Sequence, residues 1–459
     1  MPEFEQTLGA GTLLAIAASA VALLLLLIIR LRMHAFIALV LVSLLTALVA
    51  GIPAGVLVSL LTGSFGTTLG SVALLVGLGA MLGRLLESSG GAAVLADALI
   101  ARFGERHAVF ALGVASLIFG FPIFFDAGLI VMLPVVFTVA RRLEGGLLKF
   151  GIPVAAAFAV MHVFVPPHPG PVAAAELLHA DVGRLVLLGI LVAIPAWLLA
   201  GGVFGRWISQ RIVLPVPDIL AAGPKSPQPL HPPGAGTVAA LLLLPPLLIF
   251  INTGLDFARV QGWVGGTEAW FQPARLIGTT PVALLVSVLV ACCVLGLRRG
   301  GSFSQVERVL ESALGPVCSI ILITGAGGMF GGVLRATGIG AALTGALANL
   351  GLPVLVAGFL LATALRVAQG SATVALITAA GLIQPAVEAQ GYRGADLAAV
   401  VLAMAAGSAM LSHVNDSGFW LVGRFFGMDV RTTLKTWTVM MTLIGLTGFA
   451  LAGLIFWLF

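Results

Sequence analysis

Charge is what this sequence has least of. Only 9% of its 459 residues are Asp, Glu, Lys or Arg, against roughly 25% in soluble domains. So few charges cannot cover a surface facing water, so lipid is the solvent for most of the chain. The mean hydropathy of +1.15 agrees. Cysteine is scarce as well: Cys292, Cys293 and Cys318 lie in or beside apolar segments, which argues against a disulfide framework. No metal-ligand spacing is found, and no serine or cysteine nucleophile arrangement. The glycines of Thr324–Gly328, Gly331 and Gly332 are not followed by the Gly-Lys-Ser/Thr of a phosphate loop and read as close helix packing. An enzyme is therefore the weaker reading, and no cofactor or metal is expected. The net charge of +5 does not point to nucleic acid, because the basic residues sit at segment ends.

Apolar runs of membrane-spanning length are abundant. About twenty residues cross a bilayer core. By that measure spans fall near 8–29, 35–50, 56–86, 183–205, 236–253, 279–297, 316–335 and 432–457. The first run follows Glu3 and Glu5 rather than Lys or Arg and is too long for a signal peptide's apolar core, so it is expected to be retained. Connectors are expected at 88–106 and 336–351, with a loop at 254–275 whose Trp263 and Trp270 suit a membrane interface. Residues 209–235, with Pro215, Pro217, Pro224 and Pro227 among their prolines, read as a linker. It separates a first half, 1–208, from a second, 236–459.

Four further apolar segments are interrupted. Segment 107–140 breaks at Gly120–Asp126, 150–178 at Pro166–Pro171, 352–387 at Arg366–Thr373, and 395–424 at Ser412–Gly418. Gly120 to Pro166 spans 46 residues, as does Gly370 to Asp416. Polar, Gly- and Pro-rich breaks at matching places in two halves point to a secondary transporter's binding site. The expected fold is an all-α polytopic membrane protein of two inverted repeats. Each has five transmembrane helices plus a re-entrant helical hairpin (107–140, 352–387) and a broken helix (150–178, 395–424). With the hairpins entering and leaving on one side, 17 of the 23 basic residues collect on one face and five on the other. The positive-inside rule then makes the linker cytoplasmic and both termini extracytoplasmic.

Unwound backbone at membrane depth survives only where protein or a wet cavity satisfies its N–H and C=O groups. The four breaks are therefore expected to converge around one polar cavity near the bilayer midplane. Helix N-termini there present N–H groups and positive dipole ends, which suits a carboxylate. Arg366 is the one basic residue left inside a hairpin, and it needs either an anionic ligand or a partner such as Asp416 or Asp126. His162, within an apolar helix, reads as a satisfied interior histidine, whereas His168 is exposed by its break and is the stronger site candidate.

Gly120-Phe-Pro-Ile-Phe-Phe-Asp126, Val165-Pro-Pro-His-Pro-Gly-Pro171, Arg366-Val-Ala-Gln-Gly-Ser-Ala-Thr373 and Ser412-His-Val-Asn-Asp-Ser-Gly-Phe-Trp420 occur in this order over the whole chain. They resemble the signatures of the gluconate permease family, bacterial proton symporters for gluconate and related sugar acids, with a D-serine carrier among their relatives. The family pattern often has glutamate at the place of Asp126. The resemblance implies membership of the ion transporter superfamily, which binds anions between hairpin tips and broken helices. Its members are usually dimers with a scaffold domain and a moving transport domain.

On this resemblance the chain is a homodimeric symporter of the bacterial inner membrane. It imports gluconate or a related sugar acid by elevator-type movement, with a proton as coupling ion. Arg366 and the helix N-termini hold the carboxylate, and Gln369, Ser371, Thr373, Asn415 and Ser417 bind hydroxyls. Gly120, Phe121, Asp126, Pro167, His168, Gly170, Gly370, His413 and Asp416 complete the substrate site, and Asp126, His168 and Asp416 are the proton-coupling candidates. A carrier of another small hydroxy acid, such as glycerate or D-serine, is the alternative. An anion channel is weaker, because no ring of like charge or carbonyl filter is evident.

Overall fold

The computed structural model describes residues 6–121, 124–143, 145–166, 168–217, 232–260, 262–338 and 352–458. Pro167, residues 218–231 of the expected linker and 339–351 of the second connector lie outside the described residues. All regular structure among the described residues is helical, and eight helices there are long and apolar enough to cross a membrane.

The chain opens with α1 (Ala10–Leu25), α2 (Ala35–Val49), α3 (Ala54–Ser88) and α4 (Gly91–Phe103). The first interrupted segment gives α5 (Ala108–Gly120) and α6 (Phe125–Arg142). The second gives α7 (Gly146–Phe164) and α8 (Pro169–Leu178). Pro166 ends α7 because proline supplies no N–H and forces the preceding residue, Val165, out of helical geometry. Pro169 then starts α8, at the one helical position where proline fits best. Next, α9 (Val182–Trp197) passes through a widened π-turn, Leu198–Val203, into α10 (Phe204–Arg211).

The second half runs α11 (Ala235–Val260), α12 (Phe271–Gly278), α13 (Thr280–Ala291) and α14 (Phe303–Ala336). Its interrupted segments give α15 (Val354–Gln369) with α16 (Ala372–Gln390), then α17 (Gly394–Ala409) with α18 (Ser417–Phe425). A short α19 (Val430–Thr433) joins α20 (Val439–Leu458) through a π-turn at Leu434–Thr438.

Two helix limits differ from the sequence reading. The expected loop at 254–275 is mostly helix, because α11 runs on to Val260 and α12 begins at Phe271. Arg275 of α12 donates to Asn252 (3.0 Å) and pairs with Asp256, so the polar end of α11 finds its partners without unwinding. Likewise α14 starts at Phe303 rather than near 316. Ser302 and Gln305 form a reciprocal capping box there, which carries the helix beyond the apolar run.

α7 and α17 are buried on almost every side, as helices apolar all round should be. Each packs against the helices that flank it, α7 on α5, α6 and α9, and α17 on α15, α16 and α20. The glycines of α14 let it approach closely, as membrane helices with small residues do. A Cβ on Gly328 would lie 2.2 Å from Thr68 of α3, and one on Gly327 would lie 2.4 Å from Trp420 of α18.

Candidate functional site

A helix that ends inside the protein leaves its last carbonyls without intrahelical donors. In both halves, side chains from the neighbouring break supply them. His168 Nε2 donates to the carbonyl of Gly120, the last residue of α5, at 2.9 Å. At the end of α15, the Val367 carbonyl accepts from Asn415 Nδ2 (2.7 Å) and His413 Nε2 (3.0 Å). Arg335 reaches across from α14 to the Gln369 carbonyl at 2.9 Å. Each pair of breaks is thus fastened at a crossing. Gly370 marks the tighter one: its φ is +76°, and a Cβ there would lie 2.0 Å from the Asn415 carbonyl oxygen.

All four breaks border one cavity of about 320 Å³. The start of α6 contributes Phe124, Phe125 and Asp126, and the start of α8 contributes Pro169. Gly370–Thr373 enter from the start of α16, and Asp416–Gly418 from the start of α18. Four helix N-termini therefore face one space, and their unbonded N–H groups and positive dipole ends favour an anion. Ser371 and Asp416 cap two of them, accepting from Val374 N at 3.4 Å and Gly418 N at 3.0 Å. Phe124 stands at the N-cap of α6 and offers no side-chain cap.

Arg366 is buried at the cavity wall and pairs with Asp416 through Nη2, while Nη1 donates to the Gly370 carbonyl at 2.5 Å. Its Nε has no partner among the described residues. Asp416 also accepts from the Ser412 hydroxyl, which itself accepts from Trp437 Nε1 at 2.7 Å. The π-turn at Leu434–Thr438 brings Trp437 to the wall. The Asp126 carboxylate is different, since among the described residues it accepts no hydrogen bond and pairs with no cation.

The two histidines stand the other way round from the sequence reading. His168 is buried and spent on Gly120, whereas His162 lines the cavity. His162 is not a satisfied interior histidine: its Nδ1 is buried without a partner among the described residues. Its ring packs on that of His168, with centroids 5.1 Å apart. Stacking and bonding between the breaks decided these roles, which residue type alone could not.

Of the residues singled out from the sequence, Asp126, Arg366, Gly370, Ser371, Thr373, Asp416 and Ser417 meet at the cavity. His168, His413 and Asn415 tie the breaks together behind it, and the Gly120 and Gln369 carbonyls are held by those ties. Phe121 instead faces Phe250, with ring centroids 6.4 Å apart, and Gly170 packs on Leu376 and Thr373 of α16. Pro167 lies outside the described residues. His162, Trp437, Met441 and Leu75 are wall residues that the sequence reading did not select. The polar run Thr436-Trp437-Thr438 inside an apolar span was a usable signal for one of them; Leu75 and Met441 carried none.

Residues 12–458 match the family described as "GntP family permease". "Inner membrane permease YgbN" of Escherichia coli K12 is 41% identical over 448 residues, which is 95% of this chain and 97% of the relative. "Low-affinity gluconate transporter" of the same strain is 38% identical over 97% of this chain and 98% of its own. "Gluconate permease" of Pseudomonas aeruginosa is 37% identical over 91% and 92%.

Proposed function

The chain belongs to the GntP family of permeases, so it is a membrane transporter and not an enzyme, and we propose that it imports gluconate or a closely related sugar acid by proton symport. The observation that carries this reading is the meeting of four helix N-termini and Arg366 at one polar cavity. Half-helix N-termini aimed at a carboxylate are how discontinuous transporter helices hold anionic substrates. The carboxylate lies against the Arg366 guanidinium and the first turns of α16 and α18. The hydroxyls meet Ser371, Thr373, Asp126 and His162. A volume near 320 Å³ suits a small ligand, and a pocket built around hydroxyls rejects analogues that leave its polar groups unpaired. The names of the gluconate-transporting relatives favour the same substrate class.

Asp126 is the proposed proton carrier. Asp416 could take up a proton only by loosening its hold on Arg366 and Ser412, and His168 is committed to Gly120. Asp126 gains or loses one without breaking a bond to any other described residue. Asp126→Asn in proteoliposomes should keep exchange of labelled gluconate within a few-fold of wild type and lose accumulation driven by a pH gradient. Accumulation that survives would place the coupling group elsewhere.

His162→Ala should weaken gluconate binding by roughly 5- to 150-fold, the equivalent of about 1–3 kcal/mol for an unpaired buried polar contact. Glycerate, too short to place hydroxyls at both ends of the cavity, should lose much less. A competition series of sugar acids and small hydroxy acids against labelled gluconate reads both effects and tests the substrate class.

The remaining parts of the proposal are an inverted repeat of 1–208 and 236–459, re-entrant hairpins, a cytoplasmic linker and extracytoplasmic termini. An elevator movement of a homodimer in the bacterial inner membrane completes it. Its supports are the recurring order of broken elements, α5 to α8 and then α15 to α18, and the distribution of basic residues at 17 against five.

A further inference from the structure

A second cavity, larger than the one at the breaks, lies away from this site. It occupies about 680 Å³ between α5, the start of α7 and the α9–α10 junction. One end gathers Arg106, Lys149 and Arg206, with Glu105 as the single carboxylate among the described residues of the lining. Arg106 and Arg206 make no ion pair among the described residues, so Glu105 does not cancel them.

Ser209 and Gln210 also line the space, and the remaining walls are apolar. Trp197 packs against Phe110, with ring centroids 5.6 Å apart, and spends its indole N–H on the Pro153 carbonyl at 3.0 Å, so it presents only its apolar ring to the space. Phe110 and Leu198 are 55% and 44% exposed and open the wall outward, toward lipid in a membrane protein. The π-turn at Leu198–Val203 widens the helix there, and Gly202 leaves the floor open: a Cβ on it would meet nothing within 4 Å.

A soluble anion would use the cations and leave the apolar walls bare. An uncharged lipid would do the reverse. Only an anion with an apolar tail uses both. We propose that this groove binds an anionic glycerophospholipid, its phosphate against Arg106, Lys149 and Arg206 and its first acyl segment along Phe110, Trp197 and Leu198. Basic pockets between helices at one end of a membrane bundle are suited to such headgroups. Arg102, Arg141, Arg142 and Arg211 belong to the same cation-rich face in the sequence, which places this end of the groove at headgroup level.

Native mass spectrometry of the purified full-length protein, titrated with phosphatidylglycerol or phosphatidylcholine, tests this. Wild type should retain phosphatidylglycerol in clear preference. Arg106→Gln/Arg206→Gln should reduce that retention by about tenfold or more while phosphatidylcholine is unchanged. Gly202→Phe fills the open floor without altering charge, and it should lower phosphatidylglycerol retention too. Both variants lie outside the sugar-acid cavity and should still bind gluconate, which controls for folding. Equal retention of the two lipids by wild type, or undiminished phosphatidylglycerol in both variants, would overturn the proposal. Displacement of the lipid by millimolar inorganic phosphate would overturn it as well, identifying a site for soluble anions instead.

Discussion

Arg366→Ala is expected to abolish measurable gluconate binding and also to destabilise the protein, and the two losses can be separated. The guanidinium is buried against Asp416, and removing one member of a buried ion pair costs about 3–5 kcal/mol because the other charge is stranded. The substrate loses a charged partner as well, worth roughly 2–5 kcal/mol, or about 30- to several-thousand-fold in affinity. Arg366→Ala/Asp416→Asn removes both charges and keeps a residue that can cap α18. It should recover most of the thermal stability and none of the binding. Arg366→Lys should recover little of either. An ammonium cannot hold Asp416 and the Gly370 carbonyl from two separate nitrogens as the planar guanidinium does. Thermal unfolding and calorimetric titration of the purified variants read the two effects independently. A double variant that binds gluconate with near-native affinity would reduce Arg366 to a structural partner of Asp416.

Gly370→Ala is expected to eliminate transport. Its left-handed backbone costs a side-chain-bearing residue about 1–2 kcal/mol. The larger penalty is steric, because a Cβ 2.0 Å from the Asn415 carbonyl cannot be accommodated unless the fourth break moves. Such a shift carries Asp416 and the start of α18 away from Arg366. Gly170 serves as the control: it is helical, and a Cβ there would lie 3.4 Å from Leu376, an ordinary contact. Gly170→Ala should retain uptake within about twofold, on the scale of a sub-kcal/mol change. Similar uptake by both variants would show that the crossing at Gly370 does not set the site.

The breaks themselves were legible because their causes are local. Pro166 stops α7, Gly370 closes α15, and Asp416 caps α18 with its own side chain. Each acts within a few residues, so sequence suffices to find it. What could not be read is which side chain of a break turns to the cavity and which turns to its neighbour. His162 and His168 are six residues apart and chemically identical, yet only the second meets the Gly120 carbonyl. Asn415 and Asp416 are adjacent, and only Asp416 reaches the cavity. These assignments depend on how two breaks cross. The glycines of α14 foretold close packing, but not that Gly331 would seat against the Asn415 and Gln369 carbonyls as well as its helix against α3.

The central claim is that a sugar acid binds where the four breaks meet. A structure of the full-length protein determined with gluconate bound tests it most directly. The carboxylate is expected within hydrogen-bonding distance of Arg366 or of the first backbone N–H groups of α16 or α18, with the hydroxyl chain reaching toward Asp126 and His162. Gluconate bound elsewhere, with the space between Arg366, Ser371, Asp416 and Asp126 left without it, would contradict the account.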